Sequence, residues 1–342
     1  MKSLFNPYRF ALGSLRGYPE RLMDNNSVPN TNSSPAVVVG SIAFDNIHTP
    51  TDKAPMLLGG SASYAAFASS YFAPTRIIGT VGKDFGAEYI NRFSARKIDL
   101  EGLQHDKSGK TFFWEGRYGD NFSTCTTLDI QLNVFERFKP HLPPSYQGTP
   151  FVILGNIQPD LQLHVLDQLK EKAFVAADTR DLWIENAREE LLELLKRLDM
   201  LVLNDEEALM LTGQSNLIKA GEELLESGPK MVVIKKGQHG SVLFHPEGLF
   251  AFPAYPVTAV KDPTGAGDSY LGGLVGHLAA MNRTDLTTLK HAIAYGTATA
   301  SLTVEAFGPS NLEKASRETI DERYNALLAL SQIETDPETV LV

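Results

Sequence analysis

Short apolar runs alternate with helix-period stretches along most of this chain, and that alternation leaves it few folds to choose from. Ala36-Val-Val-Val-Gly-Ser41 is a brief apolar run ending in glycine, the pattern of a buried strand that opens into a loop. Arg76-Ile-Ile-Gly-Thr-Val81 reads as a second strand, with a helix following at 85–94. Further apolar runs at 151–154, 174–177, 200–203 and 231–234 are separated by helical patterns near 160–172, 184–197, 205–211 and 215–227. Strands and helices alternating at this spacing predict an α/β fold: a doubly wound, mostly parallel sheet with helices on both faces. Patterns at 267–280, 286–304 and 319–330 supply closing helices, and the small and aromatic residues of 60–72 predict a helix packed closely on a neighbour.

One stretch breaks the rhythm. Lys110-Thr-Phe-Phe-Trp-Glu-Gly-Arg117 and Ser123-Thr-Cys-Thr-Thr-Leu128 are rich in β-branched and aromatic residues, with turn chemistry between them. They predict an antiparallel hairpin outside the main sheet, a small β lid around 105–135. The main domain then spans 36–332, followed by a tail at 333–342. Residues 1–35 end in a polar Asn/Ser/Pro tract without periodicity and read as a disordered extension. Arg9, Arg16 and Arg21, with acids only late in the stretch, suggest a transit peptide; a floppy extension, or a true start at Met23, is the simpler reading.

A net charge of −10 works against phosphate backbones and anionic lipid, so neither nucleic acid nor membrane is expected as a partner. No run approaches the roughly 18 apolar residues of a membrane span. The single cysteine, Cys125, rules out an intrachain disulfide and suits a reducing, cytoplasmic setting; it reads as a small strand residue and not as a nucleophile. The histidines lack HxxxH or HExxH spacing, so no transition-metal site is expected.

The strongest chemical signal is Lys261-Asp-Pro-Thr-Gly-Ala-Gly-Asp-Ser-Tyr-Leu-Gly-Gly273. Thr264, Gly265, Ala266 and Gly267 lead into an apolar helix, so a phosphate can approach free N–H groups and the positive helix end. Asp268, in the first turn, points a carboxylate into that cradle. A carboxylate beside an anion site suits the removal of a proton from an attacking hydroxyl. Taken alone, a glycine-rich turn with a helix-favouring acid explains it as well. Leu203-Asn-Asp-Glu-Glu207 places Asn204 as an N-cap and Glu207 as its capping-box partner. The same two residues can hold Mg²⁺ through water. Gly59 and Gly60 stand at another helix entry, where a polyol can lie against the backbone or a helix can pack closely. Asp45, just past the first strand, is placed to accept bonds from vicinal hydroxyls. In Ile234-Lys-Lys-Gly-Gln-His-Gly240, Lys235 or Lys236 can meet nucleotide phosphates, with Lys236 preferred. Gly109-Lys110-Thr111 ends like a P-loop, but Gln104 stands where the first glycine is required.

Together these residues resemble the ribokinase/PfkB family of carbohydrate and nucleoside kinases, over roughly 36–332. The resemblance implies a ribokinase-like sheet with a β lid, ATP and Mg²⁺ as cofactors, and transfer of phosphate to a small-molecule alcohol: a sugar, polyol or nucleoside. It makes Asp268 the base and Gly265, Ala266 and Gly267 the anion hole. Asn204 and Glu207 become the Mg²⁺ and phosphate motif, Gly59 and Gly60 the di-glycine signature, and Asp45 the substrate-hydroxyl aspartate. Lys236, Gly237, Gly240 and Thr264 fall on the nucleotide side, and Asp262 is the ligand expected for a monovalent cation such as K⁺. Tyr64 stands where ribokinases carry asparagine, which moves the expected substrate away from ribose and offers either a ring for stacking on a sugar or base or simply a smaller pocket. Arg180, just after the strand ending at Asp178, is expected to reach the substrate. A lid hairpin of this kind also serves as a dimer clasp, so a homodimer is an expectation. Tyr64 with Phe112, Phe113 and Trp114 favours a nucleoside kinase as the alternative, and a non-catalytic sensor on the same fold is a third. A dehydrogenase is disfavoured because no GxGxxG follows the first strand.

Overall fold

In strand β1 (Ala36–Val39), Ala36 and Val38 pack into one hydrophobic core while Val37 and Val39 pack into another. A strand buried on both faces is apolar at every position, which is why this run does not alternate. The computed structural model describes residues 33–122 and 124–332. The expected extension through residue 32 and the tail at 333–342 lie outside the described residues.

From β1 the chain runs through β2 (Ala43–His48), β3 (Lys53–Gly59), helix α1 (Ser61–Ser69), β4 (Thr75–Gly82), α2 (Ala87–Ala95) and β5 (Leu103–Asp106). The hairpin β6 (Phe112–Tyr118) and β7 (Cys125–Gln131) comes next, then β8 (Phe151–Leu154), α3 (Pro159–Leu166) and β9 (Phe174–Asp178). After α4 (Asp181–Asn186) and α5 (Arg188–Leu195) come β10 (Met200–Asn204), α6 (Asp205–Thr212), α7 (Leu217–Glu226) and β11 (Met231–Lys235). Strands β12 (Ser241–His245) and β13 (Gly248–Phe252) precede α8 (Ala266–Met281), α9 (Leu286–Val304), α10 (Ser310–Lys314) and α11 (Arg317–Leu330).

Among the described residues nine strands form the main sheet, in the order β13-β12-β11-β10-β9-β8-β1-β4-β5. Neighbours are parallel except at β11–β12 and β12–β13. The order reverses at β1: the chain first builds outward through β4 and β5, then returns to β8 on the other side. Loops diverge at such a switch point and leave a crevice at the carboxyl ends of the strands. The doubly wound expectation holds. One expected helix, 184–197, is instead two, parted at Ala187 with φ −142° and ψ 41°.

The lid differs more. It is a four-stranded sheet in the order β3-β2-β6-β7, not a lone hairpin. β2 pairs antiparallel with β3 and parallel with β6. These two strands escape pattern reading because Asp45 and Asn46 interrupt the first and Pro55 interrupts the second. Only residues 40–42 separate β1 from β2, and only Gly60 separates β3 from α1. Ser41 and Ser61 clasp the two connections: each N–H donates to the other's Oγ at 3.1 Å.

The neighbour that residues 60–72 require is α8. A methyl group on Gly272 would lie 2.2 Å from the Ala65 carbonyl oxygen, and one on Gly276 would lie 2.8 Å from the Ser69 Cα. The backbones of α1 and α8 therefore touch, while Gly273 gives the same closeness to Thr299 on α9. No helix among the described residues is long and apolar enough to cross a membrane. Gly272→Ala should force α8 away from α1 at an overpacking cost of about 1–3 kcal/mol, read as a lowered Tm in thermal unfolding.

Candidate active site

Residues 262–268 turn into α8 beside the crevice. Gly265 has φ 78° and ψ 1°, a left-handed cap, and the helix begins at Ala266. The Ala266 N–H donates to the Pro263 carbonyl at 3.1 Å. The N–H groups of Gly265 and Gly267 have no protein acceptor among the described residues. Two free donors at a helix N-terminus form an anion site. A side chain at 265 is barred both by φ and by the Tyr64 ring, whose carbons lie 2.4 Å from where a methyl would stand.

That contact revises the expectation for Tyr64. Its side chain is fully buried, with the ring laid against Gly265, so it is not a surface on which a ligand can stack. Asp262 is also fully buried: its Oδ1 accepts the Thr264 N–H at 2.9 Å and its Oδ2 the Gly308 N–H at 3.3 Å. It braces the loop from behind. From the lid, Tyr118 reaches the same loop, its hydroxyl 2.9 Å from the Thr264 Oγ1.

Asp268 stands in the first turn of α8. Burial, with Asp178 beside it, raises its carboxyl to about 7, while Lys235 pulls the other way. Asp45, on β2 of the lid, is raised to about 8 by burial and then by Asp262 and Asp268. A group of that affinity is largely protonated at neutral pH and can donate as well as accept. Gly59 makes room for it, because a methyl there would lie 1.8 Å from the Asp45 Oδ2. Gly60, with φ 88°, caps α1 and is packed on Ser41 and Ile42.

Three neighbouring strand ends carry the opposite wall. Asp178 ends β9, Asn204 ends β10 and Lys235 ends β11. The Lys235 Nζ lies 3.4 and 3.5 Å from the two Asp178 oxygens. Burial opposes its charge, but the carboxylates of Asp178, Glu207 and Asp268 outweigh that and hold it above the ordinary lysine value. The capping box is formed: the Asn204 Oδ1 accepts the Glu207 N–H at 2.7 Å and the Glu207 Oε2 accepts the Asn204 N–H at 2.8 Å. The other Glu207 oxygen has no hydrogen-bond partner among the described residues, and burial followed by Asp178 raises the group to about 7. Arg180, the N-terminal cap of α4, is half exposed and donates through Nε to the neighbouring Asp181 at 2.7 Å. A cavity of about 450 Å³ joins these groups, lined by Cys125 of the lid, Asn156, Asp178, Arg180, Asn204, Glu207, Gly267 and Asp268.

The structure thus gathers Asp268, Gly267, Asn204, Glu207 and Arg180 at one cavity. Asp45 and Asp262 lie close enough to couple electrostatically to this group. Of the two lysines, Lys235 and not the preferred Lys236 is brought to the anion site: a methyl on Gly267 would lie 2.9 Å from the Lys235 Nζ. Lys236 begins the glycine turn, where Gly237 has φ 52° and Gly240 φ 82°, and Gly240 packs against Phe252 and Pro253. Asp178 was missed as a site residue. Its signal was a charge at the carboxyl end of a fully apolar strand, the same signal that marks Lys235.

A crevice at a sheet switch point, a helix-end anion site with a carboxylate in its first turn and a β lid define a small-molecule kinase of ribokinase type. The chain belongs to the pfkB family of carbohydrate kinases, whose family model matches residues 36–315. It is 29% identical over 247 residues to a cytidine kinase of Thermococcus kodakarensis, covering 70% of this chain and 86% of that one. A nucleoside kinase of Methanocaldococcus jannaschii superimposes with a TM-score of 0.70 at 21% identity, covering 86% of this chain and 99% of that one. A ribokinase II of Escherichia coli, in complex with ATP and Mg²⁺, gives a TM-score of 0.72 at 20% identity, covering 86% and 99%.

Gly59→Ala should displace the Asp45 carboxyl and so raise the acceptor KM by about tenfold or more, the weight of a charged hydrogen bond. Steady-state kinetics should show the ATP KM nearly unchanged.

Proposed function

We propose that the chain transfers the γ-phosphoryl group of ATP to a hydroxyl of a sugar or sugar-like small molecule, with Asp268 as catalytic base. One observation carries this reading: a single helical turn holds two N–H groups free to bind an anion and a carboxyl poised near 7. An acid beside an anion site repels phosphate unless it has a task. Here it takes the acceptor's proton as that oxygen bonds to phosphorus, and the electron pair of the broken P–O bond leaves with ADP. Gly265 and Gly267 hold the moving phosphoryl oxygens through their N–H groups, and Ala266 adds no bulk that would keep phosphate away.

Mg²⁺ fits beside Asn204 and Glu207, because the capping box leaves one Glu207 oxygen unengaged. Bound with ATP, the ion neutralises phosphate charge, and the E. coli neighbour's complex with ATP and Mg²⁺ supports the pairing. A monovalent cation at Asp262 has less support, since backbone amides already engage both of its oxygens. Lys236, Gly237, Gly240 and Thr264 would border the nucleotide. Its base has room in a second cavity of about 290 Å³ between the end of β13 and α9, lined by Phe252, Pro253, Lys290, His291 and Thr297. Asp45, Gly59, Gly60 and Arg180 would orient the acceptor, and lid contact through Tyr118 would exclude water.

A nucleoside acceptor is the second reading. Trp114 lies in register with Asp45 on the paired strand, so both side chains leave the lid on one face, with the indole turned over Gly116 to donate to the Thr127 Oγ1 at 3.1 Å. The similarity to a cytidine kinase points the same way. A homodimer through the lids is supported by β7, all of whose residues are exposed, Ile130 by 52%.

Coupled ADP release across sugars, polyols and nucleosides should reveal an alcohol-dependent activity; ATP consumption that no alcohol stimulates would count against the proposal. Asp268→Asn should lower kcat by about 10²–10⁴-fold while ATP affinity, read by calorimetry, stays close to wild type. The base works only when deprotonated, so kcat/KM should climb with pH up to about 7 and level off above it.

A further inference from the structure

Two positive features face one another at the crevice. The N-terminal end of α8 presents the unengaged Gly265 and Gly267 N–H groups, and the Lys235 ammonium approaches that turn so closely that a methyl on Gly267 would lie 2.9 Å away. Like potentials repel, so this arrangement draws in negative charge, part of which Asp178, Glu207 and Asp268 supply. Asp178 supplies some of it, yet both contacts, at 3.4 and 3.5 Å, are long for a charge-assisted bond. An ammonium has three donors, and no other acceptor engages Lys235 among the described residues. Its side chain is only 16% exposed, so water is a limited substitute.

We propose that Lys235 is a catalytic residue of the phosphoryl transfer, its ammonium binding the γ-phosphoryl oxygens jointly with the α8 N–H groups, and that Asp178 is its positioning residue. This rests on the proposed kinase reaction. Lys235 keeps its proton throughout: the acceptor's proton goes to Asp268, the acceptor oxygen bonds to phosphorus, and the bridging P–O bond breaks toward ADP. The lysine stabilises charge on the oxygens in flight, a task the helix dipole alone does weakly in a site ringed by Asp178, Glu207 and Asp268. Asp178 is itself fixed by its strand and by the Thr179 N–H, which donates to its Oδ1 at 2.9 Å. It keeps the ammonium at the cradle when no phosphate is bound.

The test compares nucleotides that differ only in the γ-group. Isothermal calorimetry with Mg²⁺–AMP-PNP and Mg²⁺–ADP should show Lys235→Met weakening the first by about 10–100-fold, the range for a charged hydrogen bond, and the second far less. Lys235→Arg should recover part of the loss. The double variant Lys235→Met/Asp178→Asn separates a catalytic lysine from one that merely neutralises a buried acid. If Lys235 binds phosphate, the double variant stays as weak as the single one; recovery to wild-type binding would overturn the proposal. Equal weakening of both nucleotides, or of neither, would do so as well. Thermal unfolding identifies any variant that has lost its fold, and Lys235→Arg then carries the comparison. Loss of turnover in Asp268→Asn alongside unchanged nucleotide discrimination in Lys235→Met would remove only the role of Lys235. Normal turnover in Asp268→Asn would remove the kinase assignment of the base instead.

Discussion

Gly272 and Gly276 bring the backbone of α8 against α1, and the geometry of the site follows from that approach. A helix held this close cannot shift along its neighbour without collision, so its first turn is delivered to a fixed place above the strand ends. The same closeness recurs at the tip, where Gly265 rests on the ring of Tyr64. The anion site is therefore a consequence of helix packing begun two turns away. Small residues that lower helix propensity are accepted because they permit contact that no larger side chain could make.

Around that turn the molecule concentrates acid. Asp45, Asp178, Glu207, Asp262 and Asp268 are buried or nearly so, in a chain already carrying a charge of −10. Such a group cannot be fully ionised at little cost in a low dielectric. The cost is met in three ways: backbone amides on Asp262, proton uptake by Asp45, and the Lys235 ammonium beside Asp178. Each leaves a carboxyl with a different proton affinity, and that separation lets adjacent acids take different tasks.

Much of this was legible beforehand because it is local. The apolar strands, the residue 262–268 turn and the Asn204–Glu207 capping box are written in contiguous residues, and the structure forms them as read. What escaped was set by distant partners. β2 and β3 look like loop because polar residues and a proline interrupt them, and only pairing with β6 makes them sheet. Tyr64 sits in a signature position where a ligand contact is natural, but the helix crossing places its ring under Gly265. The choice between Lys235 and Lys236 turns on which way one residue faces at a strand end, which neighbouring strands decide.

The Ser41–Ser61 clasp has a mechanical consequence. Strands β2 and β3 of the lid are joined to the body through connections of at most three residues, and the clasp ties those connections together beside the left-handed Gly60. So tethered, β2 and β3 cannot slide along the body without breaking the clasp. Asp45 rides on β2 while Asp268 stays with the body. In the proposed reaction, a lid tilted outward would part Asp45 from Asp268, so shutting out solvent and seizing the alcohol would be a single stroke.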